Sequence, residues 1–331
     1  MSIHSYFDII PNFYLMGNGV VMNLYWLQSG GCSGDSMSLL TCECNFFDFC
    51  EINSIDILYH ASLSNISFSE HKELLDDILS DKKELDILCV EGNVVRGPDG
   101  TGLFDTFMGK PKKDLIYAMA QKAKYIIAVG TCASFGGFGS HDDEMDGIGL
   151  NFHHYEKGGF LGKDFLTKSG YPVINLPGCP IHPKALTVVV EEIINDLPIE
   201  LTQTNTIDEI YNFTVHQGCT RNEYHEYKVE EKNFGERGCM FFHLGCKGPT
   251  TNSACNKYLW NEVNSKTRAG VPCFGCARPD FPQSYPFFKT PSIVGTPIEL
   301  PKGVDRAHYL AYKDMAGAAA PKRLKDRTQK V

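Results

Sequence analysis

The chain has 331 residues, 43% hydrophobic and 21% charged, the balance of a soluble globular protein with room for one large or two ordinary domains. Its 31 Lys and Arg against 40 Asp and Glu leave a net charge of -9, which argues against nucleic acid or an anionic membrane as the partner. Thirteen cysteines without a secretory pattern point away from a disulfide framework and toward metal or redox chemistry.

The charge is uneven: no Lys or Arg precedes Lys72, so residues 1–71 carry -7 and the remainder only -2. A basic signal region, a twin-arginine signal and an Arg-rich transit peptide are therefore not expected, and no apolar run of about 18 residues offers a membrane span. The expected location is the cytoplasm, with peripheral membrane association left open.

Residues 1–21 read as an N-terminal extension. From about 20 to 200 the pattern alternates β-rich runs with helical stretches, the signature of a parallel sheet covered by helices. Strands are expected at Val20–Leu27, Ile55–His60, Leu85–Val90, Tyr125–Val129 and Pro172–Leu176, with helices at Ser36–Asn45, His71–Lys82, Lys112–Lys124 and Pro183–Asn195. Together they predict an α/β, flavodoxin-like, doubly wound domain over 22–200. After Pro198 the alternation stops. Residues 201–331 are rich in Gly, Pro and Cys, so this second, irregular domain is expected to depend on bound metal for its order. Its last thirty residues, with eight basic and three acidic side chains, read as a solvated tail.

In an open parallel sheet, sites form where loops leave the carboxyl ends of the strands. Three cysteines are sent there: Cys32 after the first strand, Cys132 after the fourth and Cys179 after the fifth, each flanked by glycine that lets the backbone approach a bulky inorganic group. A second group is His216, Cys219, Cys239 and Cys246; a third is Cys255, Cys273 and Cys276. Zinc is a competitor, because His with three Cys is also a structural zinc set. Iron and sulfur are favoured because the third group has only three thiols and no evident fourth donor, and because three soft-donor groups in one chain suggest a series of redox centres. Cys42, Cys44, Cys50 and Cys89 are left over and read as small buried hydrophobes.

These residues resemble the small subunit of NiFe hydrogenases. The resemblance is carried by Trp26-Leu27-Gln28-Ser29-Gly30-Gly31-Cys32, Val90-Glu91-Gly92, Gly130-Thr131-Cys132-Ala133-Ser134, Leu176-Pro177-Gly178-Cys179-Pro180, Leu244-Gly245-Cys246-Lys247-Gly248-Pro249 and Pro272-Cys273-Phe274-Gly275-Cys276-Ala277-Arg278-Pro279-Asp280. It implies a proximal 4Fe-4S cluster in the sheet domain, a medial 3Fe-4S cluster at Cys255, Cys273 and Cys276, and a distal 4Fe-4S cluster at His216, Cys219, Cys239 and Cys246. It also implies a separate large subunit holding the nickel-iron centre, with electrons passing outward to an acceptor, quinone or carrier protein, and a dimer of heterodimers as a compatible assembly. The wording and the missing signal look closest to the cytoplasmic uptake type, the alternative being a regulatory hydrogen sensor.

The chain departs from the family pattern in three places, one being that residues 1–21 and most of the tail have no counterpart in it. Asp35 stands where most members have a fourth proximal cysteine; it either binds iron or leaves three thiolates and a 3Fe-4S proximal cluster, its ordinary role being to cap the helix expected at Ser36. The spacing from Cys239 to Cys246 is one residue longer. Gly34 and Gly137 stand where oxygen-tolerant exported relatives carry two extra cysteines. The nickel-binding cysteine pairs are absent from the sequence, so this chain alone is not expected to activate hydrogen. Glu91 is expected to act either as a structural hydrogen-bonding group or as a proton or electrostatic element.

Overall fold

A computed structural model describes residues 21–42, 45–283, 287–301 and 303–325. The N-terminal extension up to residue 20 and Cys44 lie outside the described residues.

Five strands form one parallel sheet: β1 (Met22–Gln28), β2 (Ile55–His60), β3 (Ile87–Glu91), β4 (Tyr125–Val129) and β5 (Ile174–Leu176), in the order β2-β1-β3-β4-β5. This is the doubly wound order in which the chain reverses direction across the sheet between β1 and β3. The expected strands are all present, two with unchanged bounds.

Both faces of the sheet are buried, as parallel sheets require. One face presents Leu24, Trp26, Ile87, Cys89, Ile127 and Val129 to helix α6 (Pro183–Ile194) and helix α2 (Phe46–Ile52). The other presents Tyr25, Leu27, Leu88, Val90, Ile126 and Ala128 to helices α3 (Phe68–Leu79) and α4 (Lys112–Ala120). Each fully buried Leu, Ile or Val contributes about 1.5–3 kcal/mol of burial free energy. Cys50 and Cys89 pack within this core, in keeping with the reading of them as small hydrophobes.

Several helix bounds differ from expectation, each for a local reason. Helix α3 begins three residues early because Ser67 and Glu70 form a capping box, Ser67 Oγ accepting from Glu70 N at 3.3 Å and Glu70 Oε2 from Ser67 N at 2.7 Å. The helix expected at Ser36–Asn45 is instead a short α1 (Gly34–Ser38) followed by a 3-10 turn over Leu39–Thr41. Asn45 then starts the unforeseen α2 by accepting a hydrogen bond from Phe47 N at 2.9 Å.

Register brings the site loops together. Gln28 pairs with Glu91, Glu91 with Val129, and Val129 with Leu176, so four strands end side by side and their loops leave from one edge. Helix α5 (Gly130–Phe135) starts directly at that edge.

Between α6 and residue 301, among the described residues, regular structure is sparse: α7 (Asp208–Tyr211), α8 (Asn222–Glu226), a 3-10 turn over Gly248–Thr250 and a hairpin of two-residue strands at Ser292–Ile293 and Thr296–Pro297. This part packs on the sheet through Tyr211, whose hydroxyl donates to Pro177 O at 2.9 Å, and through Ala254 and Ala277. The solvated-tail expectation is corrected within the described residues. Asp305 caps a 14-residue helix, α9 (Arg306–Ala319), which with α10 (Lys322–Lys325) buries Tyr309, Ala316 and Leu324. Tyr309 packs against Phe241 and Cys239, and Arg323 pairs bidentately with Glu223.

Candidate metal centres

The first donor group sits at the carboxyl edge of the sheet, at the switch point between β1 and β3. Cys32 is exposed on the loop after β1, Cys132 lies in α5 and Cys179 follows β5. Cys179 feels Cys132, Asp35 and Cys32 as electrostatic neighbours, and Cys132 feels Asp35 and Cys32, so the four candidate residues share one patch. Two glycines keep it open. A Cβ on Gly130 would overlap the Asp35 carboxylate, and one on Gly137 would stand 2.5 Å from Cys132 Sγ.

Asp35 Oδ1 accepts a hydrogen bond from Ile181 N at 2.7 Å. The carboxylate makes no cap to α1, so the capping role is corrected. The reason is that Glu91 already takes the first free N–H groups of α1, accepting from Asp35 N at 3.0 Å and Ser36 N at 3.1 Å, and also from Trp26 Nε1 at 2.9 Å, Gln28 Nε2 at 3.0 Å and the Ser36 hydroxyl. Burial would push Glu91 up, but the bonds from Ser36, Gln28 and Trp26 outweigh it and hold it below the usual range. Glu91 thus acts as a structural hydrogen-bonding group that fixes the start of α1, which carries Asp35 and follows directly on the Cys32 loop.

The second group lines a single cavity with Arg221 and Met240: His216, Cys219, Cys239 and Cys246 all face it. A turn closed by Cys219 N to His216 O at 3.0 Å brings the first two together. The longer spacer before Cys246 folds back on itself, Leu244 N and Cys246 N both donating to Met240 O at 3.1 and 3.3 Å. The third group, Cys255, Cys273 and Cys276, lines another cavity with Ser253, Ser265 and Thr267, and Cys255 Sγ lies 3.1 Å from Ser253 Oγ.

The three groups are consecutive neighbours. Cys179 of the first senses Cys276 of the third, and the Thr131 hydroxyl bonds the Cys276 carbonyl. Cys273 of the third donates its N–H to Cys246 Sγ of the second at 3.4 Å.

Burial, then the neighbouring Cys276 and Cys132, push Cys179 up to about 12, and burial first pushes Cys132 and Cys246 up to about 11. Burial likewise raises Asp35 to about 7, against the lowering by Ile181 N and with Glu91 adding to the rise. Soft donors crowded in this way resist ionisation, and a positively charged body among them is what stabilises thiolates. The donor sets, three or four soft side chains around a cavity, are of the chemistry that iron-sulfur clusters take. Among the described residues no three His, Cys, Asp or Glu side chains are arranged to hold a single metal ion; the donors surround cavities instead.

One side chain at the second group carried no sequence signal. His225 on α8 is buried, with Nδ1 3.5 Å from Cys239 Sγ and its ring 4.4 Å from that of His216. Burial, then His216 and Lys228, lower it to about 3, so it is neutral. No spacing rule would have marked it, because it reaches the site through the fold of α8.

A parallel α/β sheet with thiols at its carboxyl edge, continued by two neighbouring thiol groups, defines a class of protein suited to a series of soft-metal centres. Comparison with known proteins narrows that class. Residues 32–193 match the family model of the NADH ubiquinone oxidoreductase 20 Kd subunit, and residues 211–289 match that of the C-terminal region of the NiFe/NiFeSe hydrogenase small subunit. The F420 non-reducing hydrogenase II small subunit of Methanosarcina mazei is 31% identical over 290 residues, covering 79% of this chain and 73% of that protein. A periplasmic [NiFe] hydrogenase small subunit of Nitratidesulfovibrio vulgaris is 27% identical over 275 residues, covering 81% and 82%. In fold, the actinobacterial-type NiFe-hydrogenase from Ralstonia eutropha H16 aligns with a TM-score of 0.73 at 23% identity over 94% of each chain. The chain belongs to the small-subunit family of NiFe hydrogenases. It is thus a component of a hydrogen oxidoreductase. Among the described residues no helix is long and apolar enough to cross a membrane, and relatives include proteins named periplasmic, so the cytoplasmic expectation gains no support.

Proposed function

We propose that this chain is the electron-relay small subunit of an uptake NiFe hydrogenase. Electrons from hydrogen oxidation in a large subunit would enter at the sheet edge and leave near His216. The proximal centre, a 4Fe-4S cluster, would be held by Cys32, Asp35, Cys132 and Cys179; the medial centre, a 3Fe-4S cluster, by Cys255, Cys273 and Cys276; and the distal centre, a 4Fe-4S cluster, by His216, Cys219, Cys239 and Cys246. The first belongs to a domain over 22–200, the other two to a domain over 201–331. Clusters of this kind take up and release single electrons at potentials set by ligand charge, hydrogen bonds and burial.

The observation that carries the reading is the neighbour relation of the three groups, Cys179 beside Cys276 and Cys273 beside Cys246. The chain's own residues hold this line: Glu91 fixes the entry loop, Thr131 ties the sheet edge to Cys276, and the Met240 carbonyl folds the spacer before Cys246. Exposed Met37, Leu40 and Phe138 near Cys32 and Cys132 support docking of the large subunit there, in an obligate interface of more than about 2,000 Å².

The test is the iron and acid-labile sulfide content of the assembled complex, with the proximal signal followed in Asp35→Ala and Asp35→Cys. As a ligand, Asp35→Ala converts the proximal cluster toward a three-iron form or loses it, while Asp35→Cys keeps it and lowers its potential, thiolate being the stronger electron donor. Zinc without iron in the purified complex would sink the whole reading.

A further inference from the structure

His225 touches two residues of the distal group but does not line its cavity. Its ring is wedged between His216, at 4.4 Å and 65°, and Phe241, at 5.6 Å and 69°. Its backbone is tied at both ends: His225 N donates to Arg221 O at 3.2 Å, and Lys228 Nζ donates to His225 O at 3.0 Å. Arg221 is anchored in turn by Glu231 and by Gly238 O, next to Cys239, at 2.8 Å. The imidazole therefore has little freedom, and Nδ1 stands 3.5 Å from Cys239 Sγ.

The direction of that contact follows from the sulfur. A thiolate bound to iron has no S–H to donate and can only accept, so the ring must carry its proton on Nδ1. Hydrogen bonds to cluster sulfurs draw electron density from the thiolate, favour the reduced form and raise the potential.

We propose that His225 is a positioning residue of the distal centre: its Nδ1–H donates to Cys239 Sγ and its ring fixes the orientation of the His216 imidazole, setting the potential of the last relay step. This rests on the distal assignment above. The proposed donors account for which atoms hold the centre; His225 accounts for why two of them, on different segments, keep one geometry.

The experiment is a potentiometric titration of the complete hydrogenase complex, followed by electron paramagnetic resonance and with iron counted. The variants are His225→Phe, His225→Leu and His225→Asn, the last placing an amide N–H near the position of Nδ1. His225→Phe and His225→Leu are expected to keep all iron, lower the distal potential alone and broaden the distal signal. His225→Asn is expected to recover most of the shift. An unchanged distal potential in whichever apolar variant assembles overturns the proposal, as does an equal shift of all three centres. Loss of distal iron in His225→Asn would make His225 a ligand and overturn it as well. His216→Cys serves as the control for the underlying assignment. If it alters no cluster signal, the distal reading fails along with the proposal; if it does and the His225 variants do not, only the proposal fails.

Discussion

The sheet region and the region after α6 hold their thiols in opposite ways. In the first, the core is made chiefly by strand side chains: Ile87, Leu88, Ile126 and Ile127 are essentially inaccessible, while Cys32 and Cys179 on loops and Cys132 in α5 stand at the edge. In the second, the candidate ligands are part of the core. Cys246 and Cys273 pack with Val215, Met240 and Leu244, and Cys239 with Phe241 and Tyr309. The same donor chemistry is thus carried by a scaffold in one half and helps to build the scaffold in the other.

The largest effect that would break this comparison is removal of iron. Without its clusters the second region is left with small apolar groupings and buried thiols, which supply too little burial to offset the entropy of ordering over a hundred residues. Hydrogen exchange on the iron-depleted chain should show amides of 213–283 losing protection while those of β1, β3 and β4 keep it. Equal loss in both regions would mean that the sheet, too, depends on metal.

The next effect is electrostatic and centred in the second region. Arg278, 8% exposed in its side chain, donates to Asp280 through Nε and Nη2 at 2.9 and 2.8 Å, and through Nη1 to Glu299 and Thr250, both at 2.7 Å. Removing one partner of a buried pair costs about 3–5 kcal/mol; because the carboxylates here are about a third exposed, Arg278→Ala should cost about 2 kcal/mol. Burial would raise Asp280 and Glu299, but Arg278 holds both below their usual range. Their contribution is therefore present above the ordinary carboxylate pKa of about 4 and lost as pH falls through the lowered folded values. Denaturant midpoints of the native protein and Arg278→Ala should differ at pH 7 and begin to converge only as pH falls below about 4. A gap independent of pH would show that Arg278 acts through packing alone.

What the sequence disclosed follows the same division. Strands Ile55–His60 and Tyr125–Val129 were legible to the residue because apolar runs there end in polar turns, and spacing plus glycine marked the cysteine groups. Roles that depend on long-range encounter were hidden. Glu91 reaches α1 from 55 positions away, which leaves Asp35 free of the capping role its place before Ser36 suggested. His225 meets Cys239 only through α8. Helix α9 was obscured because its buried face consists of few residues, Tyr309 and Ala316 among them, within a charged stretch.

The smallest effect sharpens the comparison from the scaffold side. Ser67 caps α3 through Glu70 N at 3.3 Å, and α3 covers the sheet face formed by Tyr25, Leu88 and Ile126, away from the α6 side. Loss of such a cap costs about 1 kcal/mol because one of the first free N–H groups of the helix is left to water. Ser67→Ala should therefore lower the unfolding free energy of the sheet region by that amount. Iron content and all cluster signals should stay unchanged, because no candidate ligand rides on α3 and the edge loops are fixed instead by Glu91 and the strand register. If this distant cap changed the proximal signal, the sheet would be no passive scaffold: a shift in α3 would be reaching Cys32 through β1 and β3, and the two regions would differ in degree and not in kind.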